Sequence, residues 1–212
     1  MSLAREPTTR ALRPSVAVSR SLTDRWRGVA YGGAGVAICF LWAVGEATVW
    51  PIIPDVALFL LALAAPRRAP RLLLATAAGA AVGGVATVLT AWLAPPLALA
   101  VVMRVPLVHS TSVPIVVAHL QRDALLHAFL YQPWSGIPFK LWAVLGVTGG
   151  HPPLAIIPCF IIGRSLRFLS VAATAAAVGR LLELHLRDIA IPLLAVFGPS
   201  GAYLFYRVAI AG

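Results

Sequence analysis

Residues 72–94 of the chain read LLLATAAGAAVGGVATVLTAWLA, an apolar run without a charged side chain. At about 1.5 Å of rise per residue, a helix of this length crosses the roughly 30 Å hydrocarbon core of a bilayer. Gly79, Gly83 and Gly84 give the helix a face of small residues on which a second helix can pack closely. The stretch therefore predicts a membrane-spanning helix with helical neighbours.

The composition extends this prediction to the rest of the chain. Hydrophobic residues make up 60% and charged residues 11% of the 212 positions, whereas soluble domains average about 45–50% and about 25%. Further apolar stretches run over 29–44, 154–178 and 189–211. We therefore predict an all-α integral membrane protein, with roughly four to six membrane elements in a single transmembrane domain over 28–212.

Basic residues flank the apolar stretches and predict an orientation. The net charge is +10, and arginines cluster within 1–27, around Arg67 and around Arg180. Because basic residues at the ends of membrane helices stay in the cytoplasm, we predict a multi-pass protein of the cell membrane with a disordered basic cytoplasmic tail over 1–27. This placement of the arginines also argues against nucleic acid as a partner.

Two apolar segments are interrupted by proline or glycine and carry charges. The first contains WPIIPD at 50–55, and the second contains WSGIPFK at 134–140. Because proline removes a backbone donor and ends or kinks a helix, these segments predict re-entrant hairpins over about 46–65 and 133–150. The depth of the first turn, at mid-membrane or at the far surface, stays open. The residues assigned to the turns are Pro51, Pro54, Gly136 and Pro138.

The two segments match at a constant offset of 84 positions. The matching pairs are Trp50 and Trp134, Ile53 and Ile137, Pro54 and Pro138, and Gly79 and Gly163. If 97–131 forms interfacial helices on the outer side, the second hairpin enters from that face and the copies are inverted. The predicted fold is two inverted repeats, each a proline-broken re-entrant hairpin followed by a transmembrane helix, plus a C-terminal transmembrane helix over 189–211.

A few charged side chains fall inside the predicted membrane segments. They are Glu46, Asp55, Lys140, Arg164 and Arg167. Each costs at least about 2.5–3.5 kcal/mol at a helix centre, so we expect them to face a partner or a water-filled cavity. Arg164 and Arg167 share a helix face and can clamp a phosphate together, while Lys140, the only lysine of the chain, adds a compact ammonium.

These charges also admit structural interpretations. Asp55 and Lys140 occupy nearly matching places in the two copies and could form an ion pair that locks the hairpins together. Glu46 could mark the outer end of the first helix, and Arg164 and Arg167 could extend to an interface. Motifs typical of enzymes, metal sites or cofactor sites do not occur in the chain, so we expect no enzymatic activity, no metal and no cofactor.

The short motifs around these charges resemble the DedA superfamily, also called SNARE-associated or VTT-domain proteins. The resemblance rests on Glu46, PIIPD at 51–55, SGIPFK at 135–140 and GRSLRF at 163–168, and it covers about 40–178. The chain is most similar to the YqaA-like branch, in which a Ser-Gly-x-Pro-x-Lys string stands where other members have Pro-x-x-Arg.

The resemblance implies two re-entrant hairpins that meet from opposite faces, and lipid translocation. Relatives are described as flippases or scramblases for polyprenyl-phosphate carriers or phospholipids, some of them dependent on the proton gradient. Glu46 and Asp55 match the hairpin acids of the family, and Lys140, Arg164 and Arg167 match its basic residues. The chain departs in the closeness of its two acids and in its lysine where many members have arginine, which leaves the substrate open.

The sequence therefore predicts a transporter of a lipid with an anionic phosphate headgroup, linked to protons or to another coupling ion. A scaffold or assembly factor that transports nothing, and an exporter of small cations or drugs, are the alternatives. Association of the chain with itself is left open.

Overall fold

The structure is a computed structural model that describes Arg25, residues 27–106 and residues 108–181. Apart from Arg25 and Arg27, the predicted tail over 1–27 lies outside the described residues. The predicted C-terminal helix over 189–211 lies wholly outside them.

The described part of the chain is helical and contains no strand, as the composition predicted. The helices are α1 (Gly33–Thr48), α2 (Asp55–Ala64), α3 (Ala69–Leu93), α4 (Pro95–Met103), α5 (Ser112–Arg122), α6 (Leu125–Tyr131), α7 (Phe139–Thr148) and α8 (Pro153–Leu181). Single 3-10 turns cover Pro66–Arg68 and Gln132–Trp134. Residues 27–31 are also helical and precede α1.

Two helical stretches of the described chain are long and apolar enough to cross a membrane. They are Pro66–Leu93, with 28 residues, and Pro153–Leu181, with 29 residues. The continuous helices predicted over 72–94 and 154–178 are therefore confirmed. The first of them ends where Pro95 follows, because proline cannot supply the backbone donor that would continue the helix.

The two broken segments fold as short helices joined by loops. Helix α1 has 16 residues, and α2 and α7 have 10 each, so each is shorter than the roughly 20 residues that a membrane crossing needs. Pro54 directly precedes α2 and Pro138 directly precedes α7. The stretch 97–131 likewise contains short helices, α4 to α6, rather than one long helix.

Glycines of α3 and α8 allow the close helix contacts that hold these short elements. A Cβ atom on Gly79 or Gly83 would meet backbone carbonyls of α1, and a Cβ atom on Gly163 would meet the carbonyl of Phe129 in α6. The small-residue face predicted for α3 is thus in contact with α1. Through these contacts α3 packs on α1, and α8 packs on α6.

Helix α8 joins the two hydrophobic clusters of the described residues. Phe160 belongs to the cluster around α7, with Phe129 and Trp142, whereas Phe168 belongs to the cluster around α2 and α3, with Leu58. The segment between Phe160 and Phe168 carries Arg164 and Arg167, two of the three arginines of α8. The packing therefore positions these arginines where the two halves of the molecule meet.

Candidate functional site

A cavity of about 380 Å³ lies between α8 and two loops that contain the turn prolines. The first loop covers residues 49–54 and the second loop covers residues 135–138. The cavity wall includes each of the charged residues and turn residues singled out in the sequence. These residues are Glu46, Pro51, Pro54, Asp55, Gly136, Pro138, Lys140, Arg164 and Arg167. The fold thus brings together residues that lie more than a hundred positions apart in the chain.

Glu46 and Arg164 form a buried ion pair on one side of this cavity. Glu46 lies in the last turn of α1, and its Oε2 atom accepts a hydrogen bond from Nη2 of Arg164 in α8. Both residues are buried, with 5% and 8% of their surfaces exposed. The Arg164 guanidinium also stands 5.2 Å from the ring centres of Phe139 and Phe168, where it gains cation–π attraction.

The position of Glu46 bears on the suggestion that it marks the outer end of the first helix. Glu46 does lie close to the end of α1, but its side chain turns toward α8 rather than outward. Its carboxylate is therefore part of the cavity wall.

Asp55 and Arg167 form a second ion pair, which joins three elements. Asp55 is the first residue of α2, where a carboxylate is favoured by the helix dipole. Nη2 of Arg167 donates to Oδ2 of Asp55 at 2.5 Å, and Nη1 donates to the carbonyl of Pro133 at 3.0 Å. Arg167 therefore ties the first broken segment to the second.

Lys140 is buried without a carboxylate partner among the described residues. Only 1% of its surface is exposed, and Nζ donates a hydrogen bond of 2.9 Å to the carbonyl of Trp50. The ion pair between Asp55 and Lys140 that the matching places suggested is wrong, because Arg167 reaches Asp55 instead. Lys140 is thus a buried cation whose partner is a neutral carbonyl.

The charged wall of the cavity has an excess of positive charge. The described residues that line it contribute three cations and two carboxylates, which leaves a formal charge of +1 when all are ionised. Two buried polar atoms of these side chains, Oδ1 of Asp55 and Nε of Arg164, have no hydrogen-bond partner in the described part of the chain. An anion with a hydrogen-bond donor would complement both the charge and these atoms.

Gln132 lines the cavity and was not identified from the sequence. It is buried, with 6% of its surface exposed, and its Nε2 atom donates to the carbonyl of Ile137 at 3.0 Å. The signal in the sequence is weak, since Gln132 is a single polar residue just before Pro133. Its amide maintains the shape of the second loop.

The described residues contain no group of three or more histidine, cysteine or acidic side chains that could hold a metal ion. The two acids of the cavity are each engaged by an arginine.

Comparisons of the chain with known proteins found no relative. No protein-family model, no curated protein and no solved structure matches the chain. The resemblance to the DedA superfamily therefore rests on the short motifs at 51–55, 135–140 and 163–168, together with Glu46.

Proposed function

We propose that the chain is a multi-pass membrane protein of the DedA superfamily that moves a lipid with a phosphate headgroup across the bilayer, as a flippase or scramblase. The observation that carries this proposal is the cavity with its buried, cationic wall between two proline-broken segments. Buried charges inside membrane segments usually mark the path of a substrate or an ion. A cationic excess favours an anionic headgroup on that path.

The lengths and positions of the helices support the inverted-repeat architecture of this proposal. Helices α2 and α7 begin at Asp55 and Phe139, and α3 and α8 begin at Ala69 and Pro153, so both pairs are offset by 84 positions. The same offset relates the turn motifs in the sequence. In each pair a short helix is followed by a long one, which is the order that a re-entrant hairpin followed by a transmembrane helix requires.

In this mechanism the phosphate first binds Lys140. The Lys140 ammonium has only a neutral carbonyl as partner, so an anionic oxygen gives it a stronger, charge-assisted hydrogen bond. Arg164 and Arg167 lie on the same wall and can add donors as the headgroup enters. Apolar side chains next to the turns, including Ile53 and the largely exposed Trp134, would contact the acyl or prenyl chain of the lipid.

Proton binding in the cavity, by the protein or by the ligand, would change the affinity for the headgroup. Glu46 and Asp55 already engage the arginines, so they compete with the phosphate for the same donors. Less negative charge in the cavity, on an acid or on the ligand, favours the bound phosphate. Protonation and headgroup binding are then linked, and a pH gradient can bias the direction of movement.

Reconstitution in vesicles tests the proposal. The purified full chain is incorporated into vesicles with a labelled polyprenyl phosphate or a labelled phospholipid, and the accessible fraction of the label is followed with and without a pH gradient. We expect movement of the label, at least 10-fold slower in Lys140→Ala and in those Arg164→Ala samples that circular dichroism shows to be folded, because each variant loses a charged donor of the headgroup. Arg104→Ala is the matched control, since Arg104 is exposed and lies outside the cavity wall.

The competing candidate is a scaffold that transports nothing, and the existing ion pairs favour it. If the pairs serve only structure, exchanging Asp55 and Arg167 for each other preserves the function of the folded chain, whereas a transporter loses lipid movement.

A cation exporter would instead depend on the acids, and its activity would not change in Lys140→Ala. No movement of either lipid in vesicles that contain folded protein would overturn the transporter proposal.

A further inference from the structure

The two carboxylate oxygens of Asp55 have different surroundings. Oδ2 accepts a hydrogen bond from Arg167 at 2.5 Å, whereas Oδ1 is buried and has no partner in the described part of the chain. Asp55 itself is 8% exposed and lines the cavity. A buried acceptor without a donor costs about 1–3 kcal/mol, so a ligand that brings a donor to Oδ1 gains affinity.

The charges around Asp55 limit the charge of that ligand. Glu46 on α1, Lys140 on α7, and Arg164 and Arg167 on α8 line the same cavity. With a formal charge of +1 on this wall, a singly charged anion makes the occupied cavity neutral, while a doubly charged anion leaves an uncompensated negative charge beside Asp55. Burying an uncompensated charge is costly, so the site disfavours a dianion.

We propose that the site selects a phosphate monoester in its protonated, singly charged form, with the P–O–H group donating its hydrogen bond to Oδ1 of Asp55. The inference rests on the proposed function. Unprotonated phosphate oxygens of the same headgroup accept hydrogen bonds from Nζ of Lys140. No bond to hydrogen breaks in this arrangement, because the proton enters and leaves the site on the ligand.

This assignment places the proton dependence of transport on the substrate rather than on an acid of the protein. The second pKa of a phosphate monoester is about 6, so the singly charged form falls about 10-fold for each pH unit above that value. Each monoester headgroup that crosses in this form carries one proton with it. A phosphodiester keeps one negative charge at every relevant pH but has no P–O–H group.

The difference between these two esters provides the test. The purified full chain is titrated with decyl phosphate and with methyl decyl phosphate at pH 5 and pH 8, and binding is measured by calorimetry. We expect decyl phosphate to bind about 100-fold more weakly at pH 8 than at pH 5, which is the ratio of its singly charged fractions. Methyl decyl phosphate should bind more weakly than the monoester at pH 5 and vary little with pH, so it controls for titration of the protein.

Asp55→Asn tests the residue itself, and Asp123→Asn is the matched control outside the cavity wall. An asparagine amide can donate to an unprotonated phosphate oxygen, so we expect the pH dependence of decyl phosphate binding to fall below about 10-fold. Asp123→Asn should keep the full dependence. The comparison of the two esters on the wild-type chain holds even if Asp55→Asn does not fold.

The outcomes separate this inference from the proposed function. Decyl phosphate binding that is equal or tighter at pH 8, or a full pH dependence in folded Asp55→Asn, overturns the inference and leaves the transporter in place. No binding of either amphiphile to the folded chain overturns the proposed function. Methyl phosphate should show the same pH dependence at weaker affinity, and equal affinity would identify a free phosphate ester rather than a lipid headgroup as the ligand.

Discussion

The first loop, residues 49–54, and the second loop, residues 135–138, border the same cavity but are held by different contacts. The first loop accepts hydrogen bonds from side chains of two helices. Nζ of Lys140 in α7 donates to the carbonyl of Trp50 at 2.9 Å, and Nε1 of Trp42 in α1 donates to the carbonyl of Ile52 at 3.0 Å. Its position therefore depends on tertiary contacts.

The second loop is held by its own neighbours in the chain. Oγ of Ser135 donates to the carbonyl of Gln132 at 2.7 Å and accepts from the amide of Ile137 at 3.2 Å. Nε2 of Gln132 donates a further hydrogen bond to the carbonyl of Ile137. Gly136 has the left-handed φ of 72° that the turn requires. This loop keeps its shape through local structure.

The difference shows which loop would respond to a ligand. A phosphate that accepts the N–H group of Lys140 now bonded to the carbonyl of Trp50 removes one of the contacts of the first loop. The second loop loses nothing by this exchange. We therefore expect ligand binding to loosen the first loop and to leave the second unchanged.

The largest expected effect on stability comes from breaking the ion pair between Arg164 and Glu46, which lies just before the first loop. Arg164→Ala leaves the buried carboxylate of Glu46 without its partner, and losing one member of a buried ion pair typically costs about 3–5 kcal/mol. Unfolding of the chain in mixed micelles, followed by circular dichroism against denaturing detergent, measures this loss. Glu46→Gln in the same chain should recover part of it. Equal stability of Arg164→Ala and wild type would contradict the buried pair.

Lys140→Met separates the two loops most sharply, since residue 140 follows the second loop in the chain but contacts the first. Methionine keeps an unbranched apolar stem and removes the charged donor to Trp50. A hydrogen bond from a charged group contributes about 1.5–3 kcal/mol, so amides of the first loop should exchange hydrogen at least about 10-fold faster. Hydrogen exchange read by mass spectrometry measures both loops. Faster exchange in the second loop would reverse the comparison.

Gly136→Ala acts on the second loop alone. Gly136 has a φ of 72°, a conformation that costs an alanine about 1–2 kcal/mol, although a Cβ atom there meets no neighbour within 4 Å. The unfolding measurement should show this loss. Gly33→Ala is the control, because residue 33 begins α1 with open space around it, so we expect no loss of stability. A neutral Gly136→Ala would mean that the turn relaxes.

Trp42→Phe should produce the smallest effect and should confine it to the first loop. The substitution removes the indole donor to Ile52, an exposed hydrogen bond that contributes about 0.5–1.5 kcal/mol. Hydrogen exchange of the first loop should rise by less than in Lys140→Met. Trp134→Phe provides the control, since Trp134 is 75% exposed and donates none of the hydrogen bonds that hold either loop. Equal effects of both substitutions would exclude the role of the indole.

The long helices were predictable because their signal is local. The predicted start at residue 72 compares with Ala69 in the structure, and the predicted start at residue 154 compares with Pro153. Prolines at 54 and 138 marked where α2 and α7 begin, because proline favours the start of a helix over its interior, although α8 continues through Pro158. Gln132 was missed, since a lone polar residue next to a proline has no pattern of its own.

In the described part of the chain, the sequence by itself determined which segments are helical and which charged residues lie inside apolar segments. Both properties follow from apolarity, proline and the cost of burying charge, and these act position by position along the chain. Only the tertiary structure decided the partners of the charges: Arg164 with Glu46 across 118 positions, and Arg167 with Asp55 across 112. Ion pairing depends on separations of a few ångströms, which the packing of α8 between the two halves sets and no local pattern records.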